Sequence, residues 1–175
     1  MRQLRLKFEE SASTEQSLAH LSFSTPRTQD PFASVKRVSL VYEGSLHDRP
    51  IINNTDDAKR LFKNYWKLHP ANDQEQFVVA CLDTKHRVQC VVKVTVGTLD
   101  ASLVHPREVF KPAFIEGSSA ILLSHNHPSG NPEPSREDVL VTDRLTEAGR
   151  LLGINVLDHI IHGDGTGDVR SIREH

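Results

Sequence analysis

The sequence is short of cysteine, of long apolar stretches and of any surplus of positive charge, and each shortage narrows the field. Two cysteines, Cys81 and Cys90, are too few for a zinc ribbon and make a poor disulfide framework. They flank a stretch that reads as a β-hairpin, where reduced cysteine behaves as a small core hydrophobe. The longest apolar run, FVVACL at 77–82, falls far below the ~20 residues of a membrane-spanning helix. The opening MRQLRLKFEE has no apolar core and turns acidic at once, unlike a secretory signal. A cytoplasmic chain with no membrane partner is the expectation. Lys and Arg number 21 against 23 Asp and Glu, a net charge of −2, so the strongly basic footprint of a nucleic-acid binder is missing. Nucleic acid stays open as a partner only through a local patch, and nothing fixes the oligomeric state.

What is present fits one domain with an appendage, since 175 residues slightly exceed the usual domain length. Residues 1–34 are rich in Ser, Thr, Gln and charge, and too poor in apolar surface to offset the entropy of ordering. They read as a flexible arm, suited to a dimer contact or a partner, with an edge strand through Leu4, Leu6 and Phe8 as the alternative. The domain is then 35–175, opening on a strand at 35–42. Asn54 or Thr55 caps a helix carrying Ala58, Leu61, Phe62, Tyr65 and Trp66. The run 77–82 predicts a strand buried on both faces, and 88–96 returns as its hairpin partner. A helix opens at His105 and Pro106 and stops at Gly117 despite Pro112. A buried strand follows at 120–125. A long helix then starts at Pro134 and Ser135, bears Val139, Leu145, Ala148, Leu151 and Leu152, and closes at Gly153. A strong strand at 154–161 and a short terminal strand complete the order. The fold class is α/β (α+β), a mixed sheet flanked by helices.

The chemistry concentrates in Ser124-His125-Asn126-His127-Pro128, followed by Ser135 and Asp138. Side chains two apart on a strand point the same way, so Ile121, Leu123, His125 and His127 share a face. Asp138 falls in the first turn of the next helix, close enough to fold back over the strand end. Two histidines and one carboxylate make a catalytic zinc set with its fourth position open. A water held there has its pKa drawn towards ~7. The bland reading is a solvated loop and an ordinary helix start, with Ser135 as N-cap and acids favoured by the helix dipole.

The pattern His125-x-His127-x7-Ser135-x2-Asp138 resembles the signature of the JAMM (MPN+) zinc metalloproteases. HPREVF at 105–110, SHNHPSGNPEPSREDVLVT at 124–142 and LDHII at 157–161 resemble the RadC family, over roughly 73–173. No helix–hairpin–helix region is legible ahead of the domain, which makes the short, stand-alone RadC-like form the expectation. The resemblance implies a cytidine-deaminase-like JAMM/MPN architecture, one Zn2+ per chain on His125, His127 and Asp138, and a protein or peptide substrate. It also implies that Ser135 donates to the oxyanion of the tetrahedral intermediate. Glu75, just before the first buried strand, matches the family's general acid/base glutamate. Glu108 and Glu116 are runners-up for that role, Glu108 being explained more simply by pairing with Arg107. Asp158 and His159 are candidates for holding a ligand imidazole from behind. His20, His47, His69, His86, His162 and His175 read as surface residues.

The implied activity is a zinc-dependent hydrolase of a peptide or isopeptide bond. The alternatives are a JAMM-like interaction module without turnover and a DNA-repair-associated protein, such as a metal-dependent nuclease. A two-metal nuclease site needs more carboxylates than gather here.

Overall fold

The computed structural model describes residues 49–71, 73–97 and 104–174. The arm expected at 1–34, the boundary at 35 and the strand expected at 35–42 lie outside these residues. The described elements run α1 (Thr55–Leu68), β1 (Gln76–Leu82), β2 (Val88–Val96), α2 (Pro106–Glu116), β3 (Ala120–His127), α3 (Arg136–Leu152), β4 (Asn155–Gly163) and β5 (Val169–Ser171). A 3-10 turn, Ile172–Glu174, follows.

Every residue of β1 is buried, as an unbroken apolar run requires of a strand covered on both faces. Asp83 builds the hairpin turn, its Oδ1 accepting from the backbone N–H of Lys85 and Arg87. β2 then returns antiparallel and places Cys90 opposite Cys81; both are free thiols. The Cys90 contact and burial push the Cys81 thiol far above its usual range, which keeps it protonated. On its other side β1 pairs antiparallel with β3. β3 and β4 are parallel, joined by α3 as a crossover helix, and β5 returns antiparallel to β4. The five strands form one mixed sheet in the order β2-β1-β3-β4-β5.

Strand alternation sorts the core into two layers. Phe77, Val79, Cys81, Ile121 and Leu123 face α2 and α3, with Val109, Phe110, Val141 and Leu145 packed on them. Val78, Ala80, Leu82, Leu122 and Ile160 face α1, with Ala58, Phe62 and Trp66. No described helix is long and apolar enough to cross a membrane.

Helix ends follow local chemistry. The Asn54 side chain accepts from Asp57 N and caps α1, while His105 caps α2. Gly117 and Gly153 end α2 and α3 in the left-handed conformation. The apolar face expected of α3 needs correction: Leu151 is 76% exposed and Leu152 44%. The buried stripe is instead Asp138, Val141, Leu145 and Gly149, a helical spacing that runs straight down the sheet-facing side. The helix leaves the sheet after Gly149, where an added Cβ would stand 2.4 Å from the Ile154 carbonyl. Asp138 therefore heads the very stripe that docks the helix, and its carboxylate is aimed at the sheet.

Candidate metal centre

The C-terminal tip of β3 carries His125, fully buried, and His127, half-buried, on the face covered by α3. The loop after β3 is fixed by close backbone approach. Gly130 has φ +81°, and a Cβ on Gly163 would meet the Gly130 carbonyl oxygen at 2.2 Å. Only glycine fits there. The packing holds the loop against the end of β4, where Asp164 N donates to His127 O at 3.1 Å.

Three side chains converge. His125 Nε2 lies 2.9 Å from His127 Nε2 and 3.1 Å from Asp138 Oδ1, and His127 Nε2 lies 3.4 Å from Asp138 Oδ2. A tetrahedral ion with ligand bonds of 2.0–2.1 Å sets its ligands about 3.3 Å apart. The observed triangle is within a few tenths of an ångström of that edge. Glu75, one residue ahead of β1, brings a carboxylate oxygen within 4.8 Å of the ligand nitrogens of both histidines. A Glu/His/His cluster able to hold a metal is thus present, with Asp138 closing its other side.

The hydrogen bonds behind the imidazoles fix which nitrogen is available. Thr142 Oγ1 donates to the Asp138 backbone carbonyl at 2.6 Å, because a carbonyl can only accept. The hydroxyl proton being committed, Thr142 Oγ1 accepts from His159 Nδ1 at 2.6 Å. His159 is fully buried, and burial, aided by the neighbouring His125, holds it well below the usual imidazole range. A neutral His159 protonated on Nδ1 presents Nε2 as an acceptor, so His125 Nδ1 donates to it at 2.8 Å. His127 Nδ1 donates to the Asn131 carbonyl at 2.7 Å. With neutral rings, both histidines are left with the Nε2 lone pair facing Asp138. Two lone pairs and a carboxylate, all within 3.4 Å, call for positive charge among them.

The titration shifts register the same demand. Without a cation a proton on Nε2 takes that place: the Asp138 carboxylate accepts from it and raises the His127 imidazole above its usual range, against the pull of burial. Burial opposes the charge on Asp138, yet His125 and His127, which donate to it from Nε2 only when their rings are protonated, hold the carboxyl far below the usual range, with Ser135 adding to them. A divalent cation would satisfy both at once, and the donor set suits zinc: imidazole nitrogen, carboxylate oxygen and a backing partner for each ring.

The other sequence candidates fall as follows. Ser135 is the exposed N-cap of α3 in a full capping box: Asp138 N donates to its Oγ at 3.1 Å, and Ser135 N donates to Asp138 Oδ2 at 2.7 Å. Its hydroxyl also donates to Asp138 Oδ2 at 2.6 Å. Asp158 and His159 part company, since neighbours on a strand face opposite ways. His159 backs His125, whereas both oxygens of Asp158 accept from Ser171 Oγ, at 2.8 and 2.9 Å, tying β4 to β5. Glu108 pairs with Arg107. His162, expected at the surface, is instead 9% exposed and stacked on Trp66 with ring centroids 6.0 Å apart. It was missed because its partner is almost a hundred residues away. Together with Trp66, Lys63 and Lys67 it lines a cavity of about 630 Å³ on the α1 side of the sheet.

Comparison with known proteins identifies the family. The profile of the RadC-like JAB domain matches residues 52–175. A UPF0758 protein of Methanosarcina barkeri is 55% identical over 92 residues, which cover 53% of this chain and 40% of that protein. A UPF0758 protein of Alkaliphilus metalliredigens is 50% identical over 129 residues, 74% of this chain and 53% of the relative. One from Alkaliphilus oremlandii is 45% identical over 140 residues, 80% of this chain and 57% of the relative. The chain spans about half the length of the curated relatives it matches.

Proposed function

The chain belongs to the RadC-like JAB domain family, and from that premise we propose that it is a zinc-dependent hydrolase of amide bonds, peptide or isopeptide, with a protein or peptide substrate. The observation that carries this reading is the set of three acceptors, His125 Nε2, His127 Nε2 and the Asp138 carboxylate, turned towards one point by hydrogen bonds that occupy both Nδ1 atoms. Zinc held there supplies Lewis acidity, drawing the pKa of water towards ~7 and polarising the scissile carbonyl. Glu75 stands beside the imidazoles, takes the proton of the attacking water and returns it to the leaving amine. Ser135 offers its hydroxyl to the oxyanion. Its present partner is Asp138 Oδ2, so that bond is handed over as charge develops on the substrate. His159 and Thr142 keep His125 in the tautomer that leaves Nε2 unprotonated.

The test is turnover by the zinc-loaded chain on peptide and isopeptide-linked substrates, with single-stranded DNA alongside. Glu75→Gln should keep its zinc and lose about 10²–10⁴-fold in kcat. Unchanged turnover in that variant would move the proton carrier elsewhere. Cleavage of DNA alone would favour the nuclease reading, and bound zinc without any turnover would favour an interaction module.

A further inference from the structure

His125 and His127 point to one face of β3, and the residue between them points to the other. Asn126 is fully buried, and its carboxamide is used on every side. Its Oδ1 accepts from the backbone N–H of Gln76 at 2.8 Å. Its Nδ2 donates to the backbone carbonyl of Gln74 at 3.0 Å and to Asp164 Oδ2 at 2.7 Å. The orientation of the amide is forced, because an N–H can only donate while a carbonyl and a carboxylate accept.

The two backbone groups belong to the residues on either side of Glu75. The ladder between β1 and β3 has its last backbone pair at Phe77 and His125, so the segment carrying Glu75 lies beyond it. Asn126 extends the attachment with a side chain, gripping the chain before and after Glu75. From the far side, the Glu75 carbonyl accepts from Gly97 N at 2.8 Å, at the end of β2. Asp164 completes the clasp from the turn after β4, the same turn whose backbone N–H holds His127 O.

We propose that Asn126 is a positioning residue: its carboxamide clasps the backbone around Glu75 and so holds that carboxylate beside the ligand imidazoles. The inference rests on the reading of Glu75 as proton carrier. Asparagine is suited to the task, for it alone among isosteres offers one acceptor and two donors in this plane. Aspartate would set an oxygen against two acceptors, and leucine would strand the Gln76 N–H and the Asp164 carboxylate. A misplacement of the order of 1 Å in a catalytic group costs about 10²-fold in rate, which is the scale of effect at issue.

The experiment compares wild type, Asn126→Ala, Glu75→Gln and the double variant, loaded with zinc and assayed on the peptide substrate that wild type turns over. Amide exchange over residues 73–77 is followed by mass spectrometry in parallel. Asn126→Ala should keep one zinc per chain, exchange faster at 73–77, and lose about 10–100-fold in kcat with little change in KM. In the Glu75→Gln background it should cost nothing further, since both changes remove the same function. Asp164→Ala, which removes one arm of the clasp, should show the same pattern more weakly and serves if Asn126→Ala does not fold. Additive losses in the double variant, or unaltered exchange at 73–77, would overturn the proposal. Zinc-loaded wild type without turnover would overturn the hydrolase reading instead, and the exchange arm would still decide the clasp.

Discussion

The two halves of β3 are buried almost alike and made of opposite materials. Residues 120–123 are Ala, Ile, Leu and Leu; residues 124–127 are Ser, His, Asn and His. All but the half-buried His127 are at most 2% exposed. In the first half each large side chain contributes about 1.5–3 kcal/mol by leaving water. In the second half nothing comparable is available. Each polar group needs a partner, and a made hydrogen bond nets only about 0.5–1.5 kcal/mol against about 1–3 lost if it is left unmade. The partners are there: Trp66 Nε1 donates to Ser124 Oγ at 3.0 Å, His159 backs His125, Asn126 makes three bonds and the Asn131 carbonyl accepts from His127 Nδ1. The lower half of the strand stabilises the fold, and the upper half spends that stability on holding a site.

The contrast can be broken by substitution. The largest effect is expected from the lower half. Leu123→Ala should lower the unfolding free energy by about 2–5 kcal/mol, read by denaturant titration in chelator, while the folded protein keeps its zinc affinity. In the upper half the order reverses. His159→Leu leaves the His125 Nδ1–H without its acceptor and should weaken zinc binding about 10–100-fold by chelator competition, with a smaller loss of stability than Leu123→Ala. Equal losses of zinc affinity in the two variants would erase the distinction between the halves.

The smallest effect is on pH dependence, and β4 supplies it. Burial pushes His162 below the usual imidazole range, with Asp164 opposing. A depressed folded pKa means that the unfolded chain takes up a proton the folded chain refuses. The His162 contribution is therefore complete above pH ~6.5 and falls away as the pH drops below it. His159 acts in the same sense, whereas His127, raised by Asp138, contributes below pH ~6.5 and loses that contribution as pH rises through its folded value. Thermal melts of the metal-free chain between about pH 7 and 5 should show a shallower acid loss for His162→Gln than for wild type. An unchanged slope would mean that His162 is not held neutral by the fold.

The local parts of this architecture are written in local sequence. Asn54, Ser135, Gly117 and Gly153 mark helix ends through caps spanning three or four residues, and the apolar run in β1 declares a strand buried on both faces. Alternation places His125 and His127 on the face of Ile121 and Leu123. What depends on distant partners was not legible. The clasp of Asn126 joins residues about fifty apart, and Trp66 meets His162 across nearly the whole described domain. Asp158 and His159 looked equivalent as neighbours, although strand parity alone sends them to opposite faces. Leu151 and Leu152 continued an apolar pattern past the point where Gly149 lets the helix meet the sheet and then depart from it.

The most direct test is zinc content, measured by elemental analysis of wild type, His127→Ala, Asp138→Asn and Glu75→Gln purified from zinc-supplemented growth. The account predicts one zinc per chain in wild type and in Glu75→Gln, and its loss in His127→Ala and Asp138→Asn. A wild-type chain that takes up no zinc, or an Asp138→Asn chain that keeps it while Glu75→Gln does not, would contradict the ligand set.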